Sequence, residues 1–213
     1  MVPITRRDAL RGAAALLPLA AGCNGTEFDS PSRTPTERRG PENVETDPEL
    51  ATLRGPGERA VVWFADGRTA TDGDGPPESY HPQGFVADGE RVDATRFADV
   101  DGAGAAREFL EATDFDEETV YVDQSRIGEC YRRELCYVGW SATEIRTDYG
   151  RVLRDVDVAC ETDTYDTVAT LVRIPDVVDP DQVSGYGSGS SFSGCRLPPW
   201  IRDREGNATG DDR

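Results

Sequence analysis

The sequence contains no lysine: all 23 of its basic residues are arginines, and they stand against 41 aspartates and glutamates, which leaves a formal net charge of −18. The absence of lysine excludes a Walker-type phosphate-binding loop. A chain this acidic repels nucleic acid, so we expect no nucleic-acid partner. The acids are spread along the whole chain, which is typical of a solvated surface adapted to high salt rather than of one acidic site.

Histidine is nearly absent as well, because His81 is the only one in the sequence. A serine or cysteine nucleophile would have to use His81 as its base, and no Gly-x-Ser-x-Gly motif accompanies it. A zinc centre with two or three histidine ligands is excluded for the same reason. The acidic loops at 72–75 and 99–102 lack the glutamate that an EF-hand needs at its twelfth position, so only a loose calcium site stays open. We therefore expect no cofactor.

Long apolar runs are missing, since the longest, residues 13–22, has ten residues and a membrane-spanning helix needs about 20. Arg6 and Arg7 precede this run, and Cys23 follows it directly. The order of basic residues, a short apolar run and small residues is that of a secretory signal. We therefore predict a signal peptide over residues 1–22.

The first 23 residues resemble those of exported lipoproteins of halophilic archaea. Residues 5–10 (TRRDAL) are similar to the twin-arginine export motif, and residues 19–23 (LAAGC) are similar to a lipobox. The resemblance implies export through the twin-arginine route, cleavage before Cys23 and a lipid on its thiol. A lipid there would anchor the protein to the outer face of the cell membrane.

Three further segments follow the signal. Residues 24–58 contain five prolines and few large apolar residues. Such a segment buries too little surface to offset its chain entropy, so we predict that 23–58 comprises the anchor cysteine and a disordered stalk. We predict one folded domain over 59–201 and a flexible polar tail over 202–213.

The folded part has the pattern of an α+β domain. Residues 103–113 place Ala106 and Leu110 on one face and predict a helix. Asp88 and Gly89 predict a hairpin turn, and the Gly/Ser-rich segment 185–194 predicts a flexible loop. Four β runs follow the helix, at 119–124, 134–141, 145–152 and 167–174. We expect a mainly antiparallel meander or sandwich-like sheet with the helix on one face.

Four cysteines remain after Cys23 is set aside, an even number that suits two disulfides in an exported protein. Their spacing does not match the close pairs of a four-cysteine zinc site. We favour Cys130–Cys136 with Cys160–Cys195, because the second bond would hold the Gly/Ser segment. The pairing of Cys130 with Cys160 and of Cys136 with Cys195 stays open, since a meander can bring both early loops to one end.

Aromatic residues are the best candidates for a binding surface. Tyr186, Phe192 and Trp200 have glycine, serine and proline neighbours, which favours exposure. We expect a membrane-anchored cell-surface lipoprotein with a non-catalytic domain that binds an envelope protein or a small ligand. A secreted hydrolase that uses two carboxylates is the alternative. A solute-binding component of a transporter fits less well, because the folded part is small for two hinged lobes.

Overall fold

The computed structural model describes residues 41–65, Pro76 and residues 83–202. The predictions for the signal segment, for Cys23, for His81 and for the tail after residue 202 lie outside the described residues. All described residues belong to one unit of the chain, Arg39–Arg213.

Strands dominate the described part of the chain, and its helices are short. The strands are β1 (Asn43–Glu45), β2 (Leu50–Pro56), β3 (Val62–Phe64), β4 (Gln83–Val86), β5 (Thr95–Phe97), β6 (Thr119–Gly128), β7 (Tyr131–Trp140), β8 (Glu144–Leu153), β9 (Tyr165–Ile174) and β10 (Gly185–Ser191). The numbered helices are α1 (Gly89–Ala94) and α2 (Ala103–Glu111), and residues 199–202 form one further helical turn. The helix predicted over 103–113 and the four predicted β runs are thereby confirmed.

Two four-stranded sheets form a sandwich. Sheet A has the strand order β1-β7-β8-β10, and sheet B has the order β2-β9-β6-β4, while β3 pairs with β5. Among the described strands the pairings are antiparallel, apart from the parallel pairing of β10 with β8. The predicted fold class, α+β with mainly antiparallel, sandwich-like sheets, is confirmed. The strands do not follow one another in a single meander, because β6 and β7 lie in different sheets.

Sheet B is the central layer. Residues 119–124 of β6 are all buried. Because successive side chains of a strand point to opposite faces, both faces of β6 must be covered by other parts of the chain. Val120 and Val122 pack with α2 and β3 in one core cluster. Tyr121 packs with Val138 and Ile145 of sheet A in a second cluster. The C-terminal segment covers the other face of sheet A around Cys136.

The folded domain begins earlier than we predicted. Residues 50–56, assigned to the stalk, form β2, which pairs along its length with β9. Leu53 of β2 is completely buried in the core. The proline-rich composition did not indicate this strand, because its burial depends on a partner strand more than a hundred residues further along the sequence.

Asp88 and Gly89 begin a helix instead of a hairpin turn, so that prediction was wrong. The Asp88 carboxylate accepts a hydrogen bond from the backbone N–H of Arg91 at 2.7 Å, which caps the first turn of α1. An aspartate before glycine suits both structures, and here the residues after Asp88 form α1 instead of a second strand beside β4.

The disulfides are Cys130–Cys160 and Cys136–Cys195, so our favoured pairing was wrong and the open alternative is correct. Cys136 lies five residues into β7, about 17 Å along the strand at 3.3 Å per residue, whereas a disulfide needs Cα atoms within about 7 Å. Cys130 instead meets the connection after β8, where its carbonyl accepts the N–H of Arg154 at 2.9 Å. The Gly/Ser segment forms the edge strand β10 rather than a flexible loop.

Candidate functional site

An arginine from β2 holds the turn between β6 and β7. The Arg54 guanidinium donates to the carbonyls of Glu129 and Tyr131 at 2.7 and 2.8 Å, and to the Asp166 carboxylate at 2.6 Å. One side chain thus satisfies two turn carbonyls and pairs with an acid of β9. This arrangement fixes the position of Tyr131, the first residue of β7.

The same turn is tied to the loop between β8 and β9. The Glu129 carboxylate accepts a hydrogen bond from the Glu161 N–H at 3.0 Å and another from the Thr164 hydroxyl. These hydrogen bonds, chiefly the one from Thr164, lower the pKa of Glu129 because they favour its charged form. Together with Cys130–Cys160, they make this end of the sandwich a closed unit.

Tyrosine and arginine alternate on the adjoining parts of β7 and β8. Arg133 and Arg151 are direct cross-strand partners, a placement that would normally be repulsive. Each guanidinium lies over a tyrosine ring: Arg133 over Tyr149, with 3.5 Å from Cζ to the ring centroid, and Arg151 over Tyr131 at 4.6 Å. Cation–π attraction therefore stabilises both arginines.

Arg133 is buried and paired. Its side chain is 9% exposed and that of Asp123 is 3% exposed, and Nη2 donates to the Asp123 Oδ2 at 3.1 Å. The Thr147 and Ser188 hydroxyls donate to the same oxygen at 3.1 and 3.3 Å, while Ser125 accepts from Nη1 at 2.6 Å. This network joins both sheets across the sandwich and leaves Asp123 fully engaged.

Two phenols complete this buried region. The hydroxyls of Tyr121 and Tyr149 have no hydrogen-bond partner among the described residues. Burial raises the pKa of both phenols, and the Asp123 carboxylate raises it further. Both tyrosines therefore stay neutral at physiological pH, which suits a structural role better than proton transfer.

Arg151 has a different environment from Arg133. Its side chain forms no hydrogen bond or ion pair within the described part of the chain, and its guanidinium lies against the rings of Tyr131 and Phe192, with 4.1 Å from Cζ to the centroid of the latter. Phe192 is 84% exposed, and Leu153, two residues along β8, is 66% exposed. We call Tyr131, Arg151, Leu153 and Phe192 the Arg151 surface. It combines a cation with exposed apolar groups at one end of the sandwich.

Covalent and steric features hold Phe192 beside Arg151. Cys195, three residues on, is bonded to Cys136 of β7. The chain around Cys195 passes so close to β8 that a Cβ added at Gly150 would lie 2.8 Å from the Cys195 nitrogen. The Ser191 hydroxyl donates to the Ser193 carbonyl at 2.7 Å. Phe192 is therefore exposed on a constrained segment.

The three aromatics singled out from the sequence lie in different surroundings. Tyr186 is 44% exposed and its ring is 6.2 Å from that of Phe85 at the sandwich edge. Trp200 is half-buried, with its ring edge-on to Tyr137 at 5.8 Å. Their ring contacts thus show no common surface with Phe192. Our sequence reasoning missed Arg151, although the motif Tyr-x-Arg occurs in two successive β runs.

Other features give little support to catalysis or metal binding. A groove of about 390 Å³ lies along β1, lined partly by Trp140 and Ile201. Burial raises the pKa of Asp148, but Asp148 lies on the opposite face of β8 from Thr147, which binds Asp123. In the described ranges, no group of three or more histidine, cysteine, aspartate or glutamate side chains is placed to hold a metal.

No protein-family model, curated protein or solved structure matches this chain. Fold and site define it as a disulfide-bonded β-sandwich protein. Two disulfides are typical of an oxidising, extracellular setting. Among the described residues, no helix has the length and apolarity that crossing a membrane requires.

Proposed function

We propose that this protein is an exported lipoprotein, anchored to the outer face of the cell membrane through Cys23, whose β-sandwich binds an envelope partner through the Arg151 surface. The signal-like order of residues 1–23 supports the anchor. The disulfides support a location outside the cytoplasm.

The exposure of Phe192 is the observation that carries the binding role. A phenylalanine that is 84% exposed gains little from folding, yet a disulfide and a close strand contact constrain the segment that holds it. Aromatic and arginine side chains dominate the energetic centres of protein interfaces. Phe192 and Arg151 together fit the composition of such a centre, and the constraint on their segment holds them in place before a partner binds.

The anchor is tested by substituting the lipidated cysteine. We expect Cys23→Ala to be released into the medium while the wild type stays with the membrane fraction. Lysine substitutions at Arg6 and Arg7 are the matched control, because they should block export and leave the protein inside the cell. Equal membrane retention of the wild type and Cys23→Ala would refute the lipid anchor.

The binding surface is tested with a photo-crosslinking phenylalanine analogue placed at residue 192, on intact envelopes in high salt. The control position is Val177, which is 58% exposed and follows β9 at the opposite end of the sandwich, next to Val178, whose N–H binds Thr119 at the start of β6. We expect a specific adduct from position 192 that position 177 does not give. The same adducts from both positions, or none from either, would overturn the assignment.

A further inference from the structure

We propose that Arg151 is a binding site for the carboxylate of an organic ligand or chain terminus that carries an apolar group next to that carboxylate. This inference rests on the proposed binding role of the Arg151 surface and specifies its chemistry. Its basis is an arginine whose side-chain donors meet no acceptor among the described residues and which lies beside exposed apolar side chains.

The neighbouring arginines show what Arg151 lacks. Arg133, its direct cross-strand partner, pairs with Asp123, and Arg54 pairs with Asp166. Arg132, on the other face of β7, pairs with Glu134. Arg151 carries the same five N–H donors, and none of them meets an acceptor within the described residues. Although the chain has 41 acidic residues, none of those that the structure describes pairs with the Arg151 guanidinium.

The two rings leave the donors of Arg151 available. A cation over an aromatic ring uses the flat face of the guanidinium, whereas its N–H groups lie in the guanidinium plane. Tyr131 and Phe192 therefore restrict the side chain without consuming a donor. A planar fork with restricted motion matches a carboxylate through two parallel hydrogen bonds and loses little entropy on binding.

The apolar neighbours specify the ligand further. Leu153 points to the same face of β8 as Arg151, and Phe192 projects beside it. Inorganic sulfate or phosphate would satisfy the guanidinium but leave both apolar side chains in water. A carboxylate with an adjoining apolar group would use the hydrogen bonds and bury these side chains together.

The direct test follows the side-chain Nε–H resonance of Arg151 by NMR in the full-length protein. The probes are benzoate, its uncharged analogue benzamide, inorganic sulfate, and an acetylated peptide ending in phenylalanine with either a free carboxylate or an amide. We expect saturable shifts with benzoate and with the free-carboxylate peptide, and none with benzamide or the amidated peptide. Benzoate binding alone would assign a small-molecule ligand; binding of the peptide at least as tightly would assign a chain terminus.

Arginine-to-lysine substitutions test the bidentate geometry. Arg151→Lys keeps the charge but loses the fork, and we expect it to weaken benzoate binding about tenfold or more, followed in all variants through the backbone N–H resonances of Leu153 and Phe192. Arg146→Lys is the matched control, because Arg146 pairs with Glu144 on the other face of β8 and should leave binding unchanged. Equal weakening by both substitutions would overturn the assignment to Arg151.

The outcomes separate this inference from the proposed function. Absence of any saturable shift with the carboxylate probes, or equal response to benzoate and sulfate, overturns the carboxylate site. If photo-crosslinking at residue 192 still gives its specific adduct, the binding surface stands without that chemistry. If the specific adduct from residue 192 were absent as well, both the carboxylate site and the binding surface would be refuted.

Discussion

In the described part of the chain, one buried acid–arginine network joins the two sheets. Replacing Asp123 with asparagine should reveal how far the stability of the sandwich depends on this network. The substitution keeps the side-chain shape but removes the charge that faces Arg133. Since the two side chains are 3% and 9% exposed, solvent hardly screens the pair. Leaving one partner of a buried pair uncompensated costs about 3–5 kcal/mol, so we expect a loss of that size in the free energy of unfolding.

A second variant separates the pair from the general effect of a core substitution. Arg133→Met removes the buried cation, and combining it with Asp123→Asn removes both charges. Because a buried ion pair often costs as much in desolvation as it gains, the double variant should be more stable than Asp123→Asn alone, with a coupling of about 2 kcal/mol or more.

The assay is urea unfolding at two NaCl concentrations, since urea leaves electrostatic interactions unscreened. Glu144→Gln is the control, because its pair with Arg146 is 41% and 39% exposed and should contribute at most about 1 kcal/mol. The cost of Asp123→Asn should change little with salt, whereas that of the control should fall. A cost of Asp123→Asn no larger than that of the control would refute the reasoning.

Three further predictions concern the end of the sandwich that carries the Arg151 surface. Serine at both Cys136 and Cys195 should lower the free energy of unfolding by about 4 kcal/mol, since the bond closes a separation of 59 residues. Urea unfolding would measure the loss, with a larger m because the unfolded chain is less compact without the bond. Gly150→Val should displace the nearby Cys195 segment, seen as large NMR shifts there, and unchanged shifts would contradict the close approach. Thr164→Val should raise the pKa of Glu129 towards its ordinary value. Because the pKa of Glu129 is lowered in the folded state, the Thr164 hydrogen bond stabilises the fold above the pKa of Glu129 in the unfolded state. This stabilisation disappears as pH falls through the folded-state pKa, which NMR titration of the wild type and the variant would show.

Local patterns were enough to predict the main elements. The four β runs alternate or are rich in β-forming residues, and the helix at 103–111 has an apolar face, so these segments keep their structure in almost any arrangement. Strand β2 escaped prediction because Leu50–Pro56 has little pattern of its own and gains its stability from β9. The β10 segment escaped for the same reason, since glycine and serine form a strand here only beside β8.

The candidate site was predictable only in part. Phe192 was named from its small neighbours, and its exposure is a local property of a Gly/Ser segment. The sequence neighbours of Tyr186 and Trp200 favoured exposure equally, but their rings pack against those of Phe85 and Tyr137. The spacing of these residues in the sequence did not predict the contacts. Arg151 could not be distinguished from the other 22 arginines, because what sets it apart is its position against the rings of both Tyr131 and Phe192.

The sequence alone determined the four long strand segments that follow residue 118, the helix at 103–111 and the excess of acidic residues, because these follow from composition and from periods of two or 3.6 residues. Only the tertiary structure decided which sheet each strand joins, which cysteines pair, and which arginine lies against the rings of Tyr131 and Phe192. These outcomes depend on distances between residues far apart in the chain. A strand of ten residues carries its two ends about 30 Å apart, so the partner of a side chain depends on which other strand is aligned beside it.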